Sequence, residues 1–281
     1  MLNYYPLLFV FLWSTGFIGA KYGLPYAEPL TFLLLRYCAV IVLMSAFALL
    51  AKAKWETKPS QMFHLAVAGS LIHGCYLGGV FVAISLGLPA GVVSLIVGMQ
   101  PLLTALLAPI VVGERMRPIQ WLGLLLGLVG VALVLSQRIH SGFALHGLYW
   151  ALGALLGITV GTLYQKRHCA HFDWRTGAIM QFIGAAVVTL PVALMIEHFH
   201  VQWTGHFLFA LSWLVLVLSL GAVTLLNTLI RSGTAVNVAS LFYLVPPATA
   251  LIAWLMFHES FTLVQTLGLA VAVTGVAIAR R

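Results

Sequence analysis

Charged side chains are scarce in this sequence. They make up 7% of its 281 residues, whereas hydrophobic residues make up 62%. Because soluble domains carry about 25% charged residues, this composition leaves no room for a soluble domain and predicts an integral membrane protein. The net charge of +8 comes from basic residues scattered over short connections, which favours charge that sets membrane topology over a nucleic-acid-binding patch.

Cysteines are few, and acids inside helices are absent. The three cysteines, Cys38, Cys75 and Cys169, are too dispersed for a disulfide framework or a metal cluster. All six acidic residues fall at predicted helix ends or in connections, so no buried carboxylate is expected to attract an organic cation. This favours a neutral, zwitterionic or anionic substrate.

Enzyme motifs are missing as well. The sequence contains no phosphate-binding loop and no G-x-S-x-G or H-E-x-x-H motif. We therefore expect no enzyme activity, no catalytic residues, no cofactor and no metal site.

Apolar runs of about 20 residues, the length that crosses a bilayer, recur along the whole chain. They predict an all-α integral membrane protein with ten transmembrane helices, here called spans 1 to 10, at roughly 5–22, 30–50, 63–84, 91–112, 118–136, 146–164, 176–196, 207–229, 235–257 and 262–279. The connections are short, so neighbouring spans form antiparallel hairpins.

Lysine and arginine set the expected orientation. With the N-terminus in the cytoplasm, eleven basic residues face inward, only Lys21 and Arg138 face outward, and Arg36 lies within span 2. The first apolar run is followed by Lys21 and Glu28 rather than by a small-residue cleavage site, so it is predicted to be a span and not a signal peptide. We expect a multi-pass protein of the cell inner membrane with both termini in the cytoplasm.

The chain also matches itself. Shifted by 145 residues, the run from Ala90 to Leu133 lies over the run from Ala235 to Ile278 without a gap. This predicts two units, 1–140 (spans 1 to 5) and 141–281 (spans 6 to 10). Because five is odd, the second unit is inverted relative to the first, an arrangement typical of transporters whose site lies between the copies. A duplicated membrane enzyme or structural protein is the weaker alternative.

Polar and aromatic residues at comparable depths are the candidates for the lining of a central cavity. The predicted substrate-binding residues are Trp13, Ser14, Phe17, His73, Tyr76, Ser94, Gln100, Tyr164, Asn227, Asn237 and Tyr243. Prolines near the middle of the matching spans 4 and 9 free backbone carbonyls, which must face protein or a watery cavity. Pro101, Pro246 and Pro247 are thus either borders of the cavity or static kinks.

Arg36 is the one strong charge inside a span. It lies about six residues below the expected outer end of span 2, so it either snorkels to a surface ion pair or receives a substrate carboxylate. Gln181 is the residue that matches Arg36 in the second repeat. We predict two contacts that form alternately as the protein opens to either side, Arg36 with Glu259 and Gln181 with Glu114. His73 is either a packing residue or part of a substrate or proton path.

Four stretches resemble the EamA-type transporters of the drug/metabolite transporter superfamily. Two are LWSTGFIGAKYG from Leu12 to Gly23 and PLTFLLLRY from Pro29 to Tyr37; the others are the matching runs of the repeat. The resemblance implies ten helices, two inverted five-helix repeats and an open central cavity. The family pattern matches Arg36, Pro101, Glu114, Pro246 and Glu259, largely as architecture. The second repeat departs from it by having Gln181 in place of Arg36.

Spans, inversion and resemblance together predict a transporter. We expect an exporter of small polar metabolites such as amino acids that works by alternating access. The protein is expected to be a monomer or homodimer. Its expected partners are a small-molecule substrate and the lipid bilayer, and no nucleic acid. Drug efflux or metabolite uptake is the alternative within transport. A lipid scramblase or a non-transporting scaffold is the alternative of another class.

Overall fold

The structure is a computed structural model, and its regular elements are helices. It describes residues 4–53, 55, 58–111, 113, 117–139, 145–169, 172–232, 238, 241–257 and 262–279. The helices are α1 (Tyr5–Gly23), α2 (Pro29–Leu50), α3 (Pro59–Gly69), α4 (Tyr76–Ser85), α5 (Ala90–Val97), α6 (Gln100–Val111), α7 (Pro118–Ile139), α8 (Leu145–His168), α9 (Trp174–Ile196), α10 (Gly205–Trp213), α11 (Val223–Ser232), α12 (Val245–Phe257) and α13 (Leu263–Ala279).

Seven helical segments are long and apolar enough to cross a membrane. They are Tyr5–Tyr26, Pro29–Leu50, Pro59–Ser85, Ala90–Val111, His146–His168, Trp174–Ile196 and Gly205–Arg231. Three further apolar helices are shorter within the described residues, namely Pro118–Gly130, Val245–Met256 and Leu263–Gly275. Large apolar side chains such as Leu50, Met195 and Ile110 are more than three-quarters exposed. A surface this apolar matches lipid rather than water, so the chain is a multi-pass membrane protein.

Proline and glycine mark where helices begin and bend. Pro29, Pro59 and Pro118 stand in the first turns of α2, α3 and α7, where the missing N–H costs nothing. Gly87 connects α4 to α5 with a φ of 90°, which glycine adopts without strain. Span 4 is not continuous: α5 ends at Val97 and α6 starts at Gln100, because Pro101 withholds a backbone donor and disfavours helix just before it.

Two π-helices interrupt the bundle at matching places in the two halves. Ser70–Cys75 joins α3 to α4, and Leu214–Ala222 joins α10 to α11. Shifted by 145 residues, the first π-helix falls on 215–220, inside the second. π-helical turns leave the regular hydrogen-bond pattern and often occur at functional sites.

The helices of spans 2 and 7, which are mates in the sequence repeat, pack against each other in opposite directions. At one end of α2 the backbone N–H of Leu30 donates to Glu197, which follows α9; at the other end Arg175, at the start of α9, donates to Ala51. Between them Tyr37 and its mate Phe182 have ring centroids 5.8 Å apart. We call the end of the bundle with Glu28, Leu30 and Glu197 the Glu28 end. The opposite end, with Ala51, Lys166 and Arg175, is called the Lys166 end.

The helices of spans 5 and 10 make the same kind of contact. A Cβ on Gly130 would lie 2.5 Å from the Gly268 carbonyl, and a Cβ on its mate Gly275 would lie 2.5 Å from the Gly123 carbonyl. As the number rises in α7 it falls in α13, so the two helices are antiparallel. Glycine at both positions lets the backbones approach closely.

Two carboxylates lock the Glu28 end by reciprocal hydrogen bonds. Glu197 accepts from the backbone N–H groups of Leu30 and Thr31, both at 2.7 Å, and thus satisfies free donors of the first turn of α2. Glu28 accepts from the N–H groups of His198, at 3.0 Å, and His200, at 2.8 Å. The backbone bonds from His200 and the partial positive charge of both histidines lower the pKa of Glu28.

The α7–α13 contact predicts opposite effects for two glycine-to-alanine changes. Gly130→Ala places a methyl group against the backbone of α13 and should lower the thermal midpoint of the detergent-purified protein. Gly153→Ala, where a Cβ meets nothing within 4 Å, should raise stability by up to about 1 kcal/mol through helix propensity. Equal shifts for the two variants would contradict the close packing.

The Glu28 contacts predict a pH-dependent contribution to stability. Because the folded-state pKa lies below the ordinary 4.5, the contribution is complete above that value and disappears as pH falls through the lowered pKa. Glu28→Gln should cost about 1 kcal/mol at pH 7, since a neutral amide oxygen accepts the two backbone N–H groups more weakly than a carboxylate oxygen does. The melting difference between wild type and variant should then shrink below pH 4.5; a difference that is constant from pH 7 to pH 3 contradicts this.

Candidate functional site

A central cavity lies at the level of the two π-helices. The space between its walls, counted together with space that is open to the outside, is about 400 Å³. Its walls come from both halves of the chain: Trp13, Gly16, Phe17, Arg36, His73, Tyr76, Leu77, Val80, Phe81, Leu218 and Val223. Most of this lining is aromatic or aliphatic, and the few polar groups converge on one side.

The aromatic wall is held in place by its own contacts. Trp13 Nε1 donates to the Tyr76 hydroxyl at 3.1 Å, and the two rings stack with centroids 6.1 Å apart. Phe242 packs edge-on against Trp13 at 5.3 Å. The rings therefore stand as rigid walls whose orientation is fixed before any ligand enters.

Arg36 supplies the only formal positive charge in this wall. Its side chain is 3% exposed, so it does not snorkel to the surface as one sequence interpretation expected. Its Nε donates to Ser219 Oγ at 2.9 Å, and Ser219 Oγ in turn bonds to the Leu214 carbonyl at 3.1 Å. The guanidinium of the first half is thus positioned by the π-helix of the second half.

His73 sits where the two halves meet. Its ring stacks on Phe182 with centroids 4.3 Å apart, and its carbonyl accepts from the Tyr37 hydroxyl at 2.6 Å. That carbonyl belongs to the π-helix, and the tyrosine satisfies it. The Nε2 atom is buried without a hydrogen-bond partner among the described residues.

A wider opening lies one helical turn further towards the Glu28 end. It is lined by Lys21, Leu24, Pro25, Ile84, Ser85, Gly87, Leu88 and Pro89 and has an empty volume of about 760 Å³. Lys21 follows Phe17 on α1 and Ser85 follows Phe81 on α4 by four residues, so each pair shares a helix face. The opening and the central cavity therefore lie along the same faces of α1 and α4.

A buried cluster of amide side chains closes the bundle on the other side. Gln165 Nε2 donates to Asn227 Oδ1 at 2.8 Å, and Gln165 Oε1 accepts from Gln181 Nε2 at 3.0 Å. Nearby on α8, Thr162 accepts from Gln100 Nε2 at 3.1 Å. We call these five side chains the amide cluster; it ties α6, α9 and α11 to α8.

Further contacts seal the Lys166 end beyond the amide cluster. Lys166 Nζ donates to the Ile230 carbonyl at 2.9 Å, and the Tyr164 hydroxyl shares a 2.7 Å hydrogen bond with His64 Nδ1. Cys169 is 1% exposed here beside Leu65 and Phe172. Burial raises the pKa of the Cys169 thiol to about 11.

The structure brings five predicted residues together and places others elsewhere. Trp13, Phe17, Arg36, His73 and Tyr76 line the central cavity. Gln100, Gln181 and Asn227 belong to the amide cluster, and Tyr164 lies beyond it. Ser14 bonds to the Val10 and Val245 carbonyls, and Ser94 bonds to the Gly91 carbonyl.

The predicted prolines lie at the junction of spans 4 and 9. Pro101 and Pro246 are buried and Pro247 partly so; a Cβ on Gly98, just before the break in span 4, would lie 2.6 Å from Pro246. The two kinks therefore touch each other rather than line the cavity. Glu114, Glu259 and Asn237 lie outside the described residues, as does the side chain of Tyr243, so the two alternating contacts stay predictions.

Sequence reasoning missed three residues that the structure singles out. Gln165 precedes Lys166 and Arg167 and was counted with the helix end, yet it is the centre of the amide cluster. Ser219 is the one hydroxyl in the apolar run 214–222, a signal that was available. Tyr37 follows Arg36 and donates to the His73 carbonyl in the π-helix of its own half, a role that nothing in the sequence indicates.

Comparison with known proteins decides the family. The sequence model of the EamA-like transporter family matches residues 3–136 and again 145–281. The chain belongs to the EamA-like transporter family. Within the described residues, this membrane transporter has no group of three His, Cys, Asp or Glu that could hold a metal ion.

Similar EamA-like sequences cover nearly the whole chain. An uncharacterized transporter, YvbV, of Bacillus subtilis is 29% identical over 96% of this chain and 88% of its own length. A probable amino-acid metabolite efflux pump of Escherichia coli is 27% identical over 97% and 92%. An uncharacterized inner membrane transporter of the same species, YedA, is 27% identical over 95% and 86%. A solved crystal structure aligns with a TM-score of 0.76 over 98% of this chain and 94% of its own, at 21% identity, and shares the fold.

The amide cluster predicts that weakening it opens the Lys166 end. Gln165→Ala removes two buried side-chain hydrogen bonds, each worth about 1 kcal/mol. Cys169 should then become solvated, lose its raised pKa and react at least several-fold faster with a water-soluble maleimide. The measurement uses a Cys38→Ala/Cys75→Ala background, so that Cys169 is the only thiol.

The matched control is Gln202→Ala, which removes an exposed glutamine side chain at the Glu28 end. Its labelling rate should equal that of the background protein. An unchanged rate for Gln165→Ala, in protein with a wild-type melting point, would show that the amide cluster does not hold this end closed.

Proposed function

We propose that this protein exports small polar metabolites, amino acids and their relatives first, across the cell inner membrane by alternating access. The observation that carries the proposal is the central cavity with walls from both halves of the chain, a wider opening about one helical turn nearer the Glu28 end, and the buried amide cluster towards the Lys166 end. A carrier needs such a site, accessible from one side at a time.

The proposed architecture is ten transmembrane helices in two inverted five-helix repeats, 1–140 and 141–281. The support is that helices at matching positions of the two repeats pack against each other: α2 lies antiparallel to α9, and α7 lies antiparallel to α13. Tyr37 contacts its matching residue Phe182. Gly130 and its matching residue Gly275 each approach the backbone of the opposite helix. The π-helices at matching positions add to this. Such symmetry gives one chain two similar conformations, open to opposite sides.

The proposed orientation puts the Lys166 end in the cytoplasm. Lys52, Lys58, Lys166, Arg175 and Arg231 all lie there, as the excess of basic residues on the cytoplasmic side of membrane proteins requires. Both termini are then cytoplasmic, and the described conformation is open outward. The Escherichia coli relative named as a probable amino-acid metabolite efflux pump supports export and the YedA relative supports the inner membrane.

A lipid scramblase is less well supported than a solute carrier. Scrambling needs a polar groove open to lipid for the headgroups. The groove that opens between α1, α10 and α12 is lined by Ile18, Tyr22, Phe209, Trp213 and Met256 among others, and no polar surface contributes to it. The polar side chains Arg36 and His73 of the central cavity and those of the amide cluster are instead buried inside the bundle.

The test is counterflow in liposomes containing the purified protein, with a panel of labelled amino acids and metabolites. We expect saturable exchange of one class of solute. Val80→Phe fills the cavity wall, where Val80 is 2% exposed, and should abolish exchange; Val187→Phe, at a residue 64% exposed on the outer surface, should not. Flat traces for the whole panel, or equal exchange by the two variants, contradict the proposal.

A further inference from the structure

We propose that the central cavity binds monoanionic carboxylates whose remaining part is apolar, with the carboxylate on the Arg36 guanidinium. The proposal rests on the proposed function in taking this cavity as the transport site. It narrows that function by naming the charge class of the substrate: among amino acids and their relatives, it favours the monoanionic relatives that lack an ammonium group over the zwitterionic amino acids.

The first step is a buried charge that has no counter-ion among the described residues. Arg36 is 3% exposed and faces the cavity, and among the described residues no carboxylate pairs with it. The three described acids are engaged elsewhere: Glu28 with the backbone of His198 and His200, Asp173 with Arg175, and Glu197 with the start of α2. A buried guanidinium is stable only when it is paired, so the cavity is suited to an anion.

The second step is the geometry of that guanidinium. Its Nε is occupied by Ser219 Oγ at 2.9 Å, and the serine is fixed by its bond to the Leu214 carbonyl. This leaves the terminal amino groups as the donors on the cavity side. Paired N–H groups in one plane match the two oxygens of a carboxylate.

The third step is a further unsatisfied polar atom in the same wall. His73 is 1% exposed, lines the cavity, and has its Nε2 without a hydrogen-bond partner in the described part of the chain. A neutral imidazole offers one donor or one acceptor at this atom. The side chain of Gln181, which belongs to the amide cluster, also interacts with the His73 ring. His73 is thus a polar group at the boundary between the cavity wall and the amide cluster.

The fourth step is the character of the remaining wall. Trp13 and Tyr76 use their polar atoms on each other at 3.1 Å, while Phe17, Val80, Phe81, Leu218 and Val223 offer only apolar surface. None of the described acids lines the cavity. An ammonium group would lie near Arg36 without a compensating negative charge, so both amines and zwitterions are disfavoured.

The test is isothermal titration calorimetry on the purified full-length protein with four probes that share a phenyl group. They are 3-phenylpropanoate, 3-phenylpropan-1-ol, phenethylamine and phenylalanine, with Val80→Phe protein as the blank for partition into detergent. We expect 3-phenylpropanoate to bind at least about tenfold more tightly than each of the others. Tightest binding of the amine or of phenylalanine overturns the proposal.

Two variants assign the preference to Arg36. Arg36→Gln should bring the acid and the alcohol to within about twofold of each other while alcohol binding is retained, and Ser219→Ala should weaken binding of the acid alone, because it frees the guanidinium to rotate. If Arg36→Gln does not elute as a folded monodisperse protein, the proposal is judged from the affinities of wild type for the four probes and from the affinity of Ser219→Ala for the acid. A preference for the acid that survives Arg36→Gln, or acid binding that Ser219→Ala leaves unchanged, contradicts the role of Arg36.

The remaining arms separate this inference from its alternatives. Recovery of transport by the double change Arg36→Glu with Glu259→Arg, after loss in each single change, would make Arg36 an ion-pair partner of Glu259 and overturn the proposal. Saturable exchange in liposomes without a carboxylate preference removes this inference and leaves transport standing. Carboxylate binding through Arg36 without any exchange removes the transport function and leaves the binding site.

Discussion

The rest of the structure depends on how one guanidinium is kept in an apolar bundle. A charged side chain at mid-membrane costs about 2.5–3.5 kcal/mol on insertion scales, and Arg36 is almost completely buried. Its bond to Ser219 lies between the first half of the chain and the π-helix of the second. The π-helix places that hydroxyl in the interior and supplies the carbonyl that fixes it. The Arg36 charge, the π-helix of the second half and the central cavity are therefore linked by the same hydrogen bonds.

The polar side chains at the two ends of the bundle differ in kind and in their hydrogen-bond partners. At the Glu28 end, carboxylates cap backbone N–H groups around an opening, while at the Lys166 end neutral amides bond to one another in the interior. Each hydrogen bond between amide side chains of neighbouring helices contributes about 1 kcal/mol. Breaking it leaves no buried charge, because both side chains are neutral. A cluster of this kind can open and close at small cost, which suits a gate better than an ion pair would.

Hydropathy alone placed the helices well, because a bilayer allows few alternatives to a helix of about 20 residues. The described helices begin and end within a few residues of the predicted spans, except that span 4 breaks before Pro101 and the long helix of span 9 begins only at Val245. Seven of the ten predicted spans correspond to segments that are long and apolar enough to cross a membrane. The site was only half predictable. Depth along a helix identified Trp13, Phe17, His73 and Tyr76, but depth does not give direction, so Gln100 and Asn227 were assigned to the cavity and Gln165 was overlooked. Arg36 was placed too near the surface, because the count from the helix end ignored how the neighbouring helices cover it.

The departure of the second repeat from the first at one position now has a physical meaning. Arg36 and its mate Gln181 occupy corresponding places on α2 and α9, and each lies against the π-helix of the opposite half. Arg36 faces the cavity, whereas Gln181 bonds to Gln165 in the amide cluster. A second arginine at 181 would bury another charge inside the amide cluster and hold two cations across one small bundle. In the proposed mechanism, breaking the symmetry at this pair would leave one half to bind the substrate and the other to close behind it.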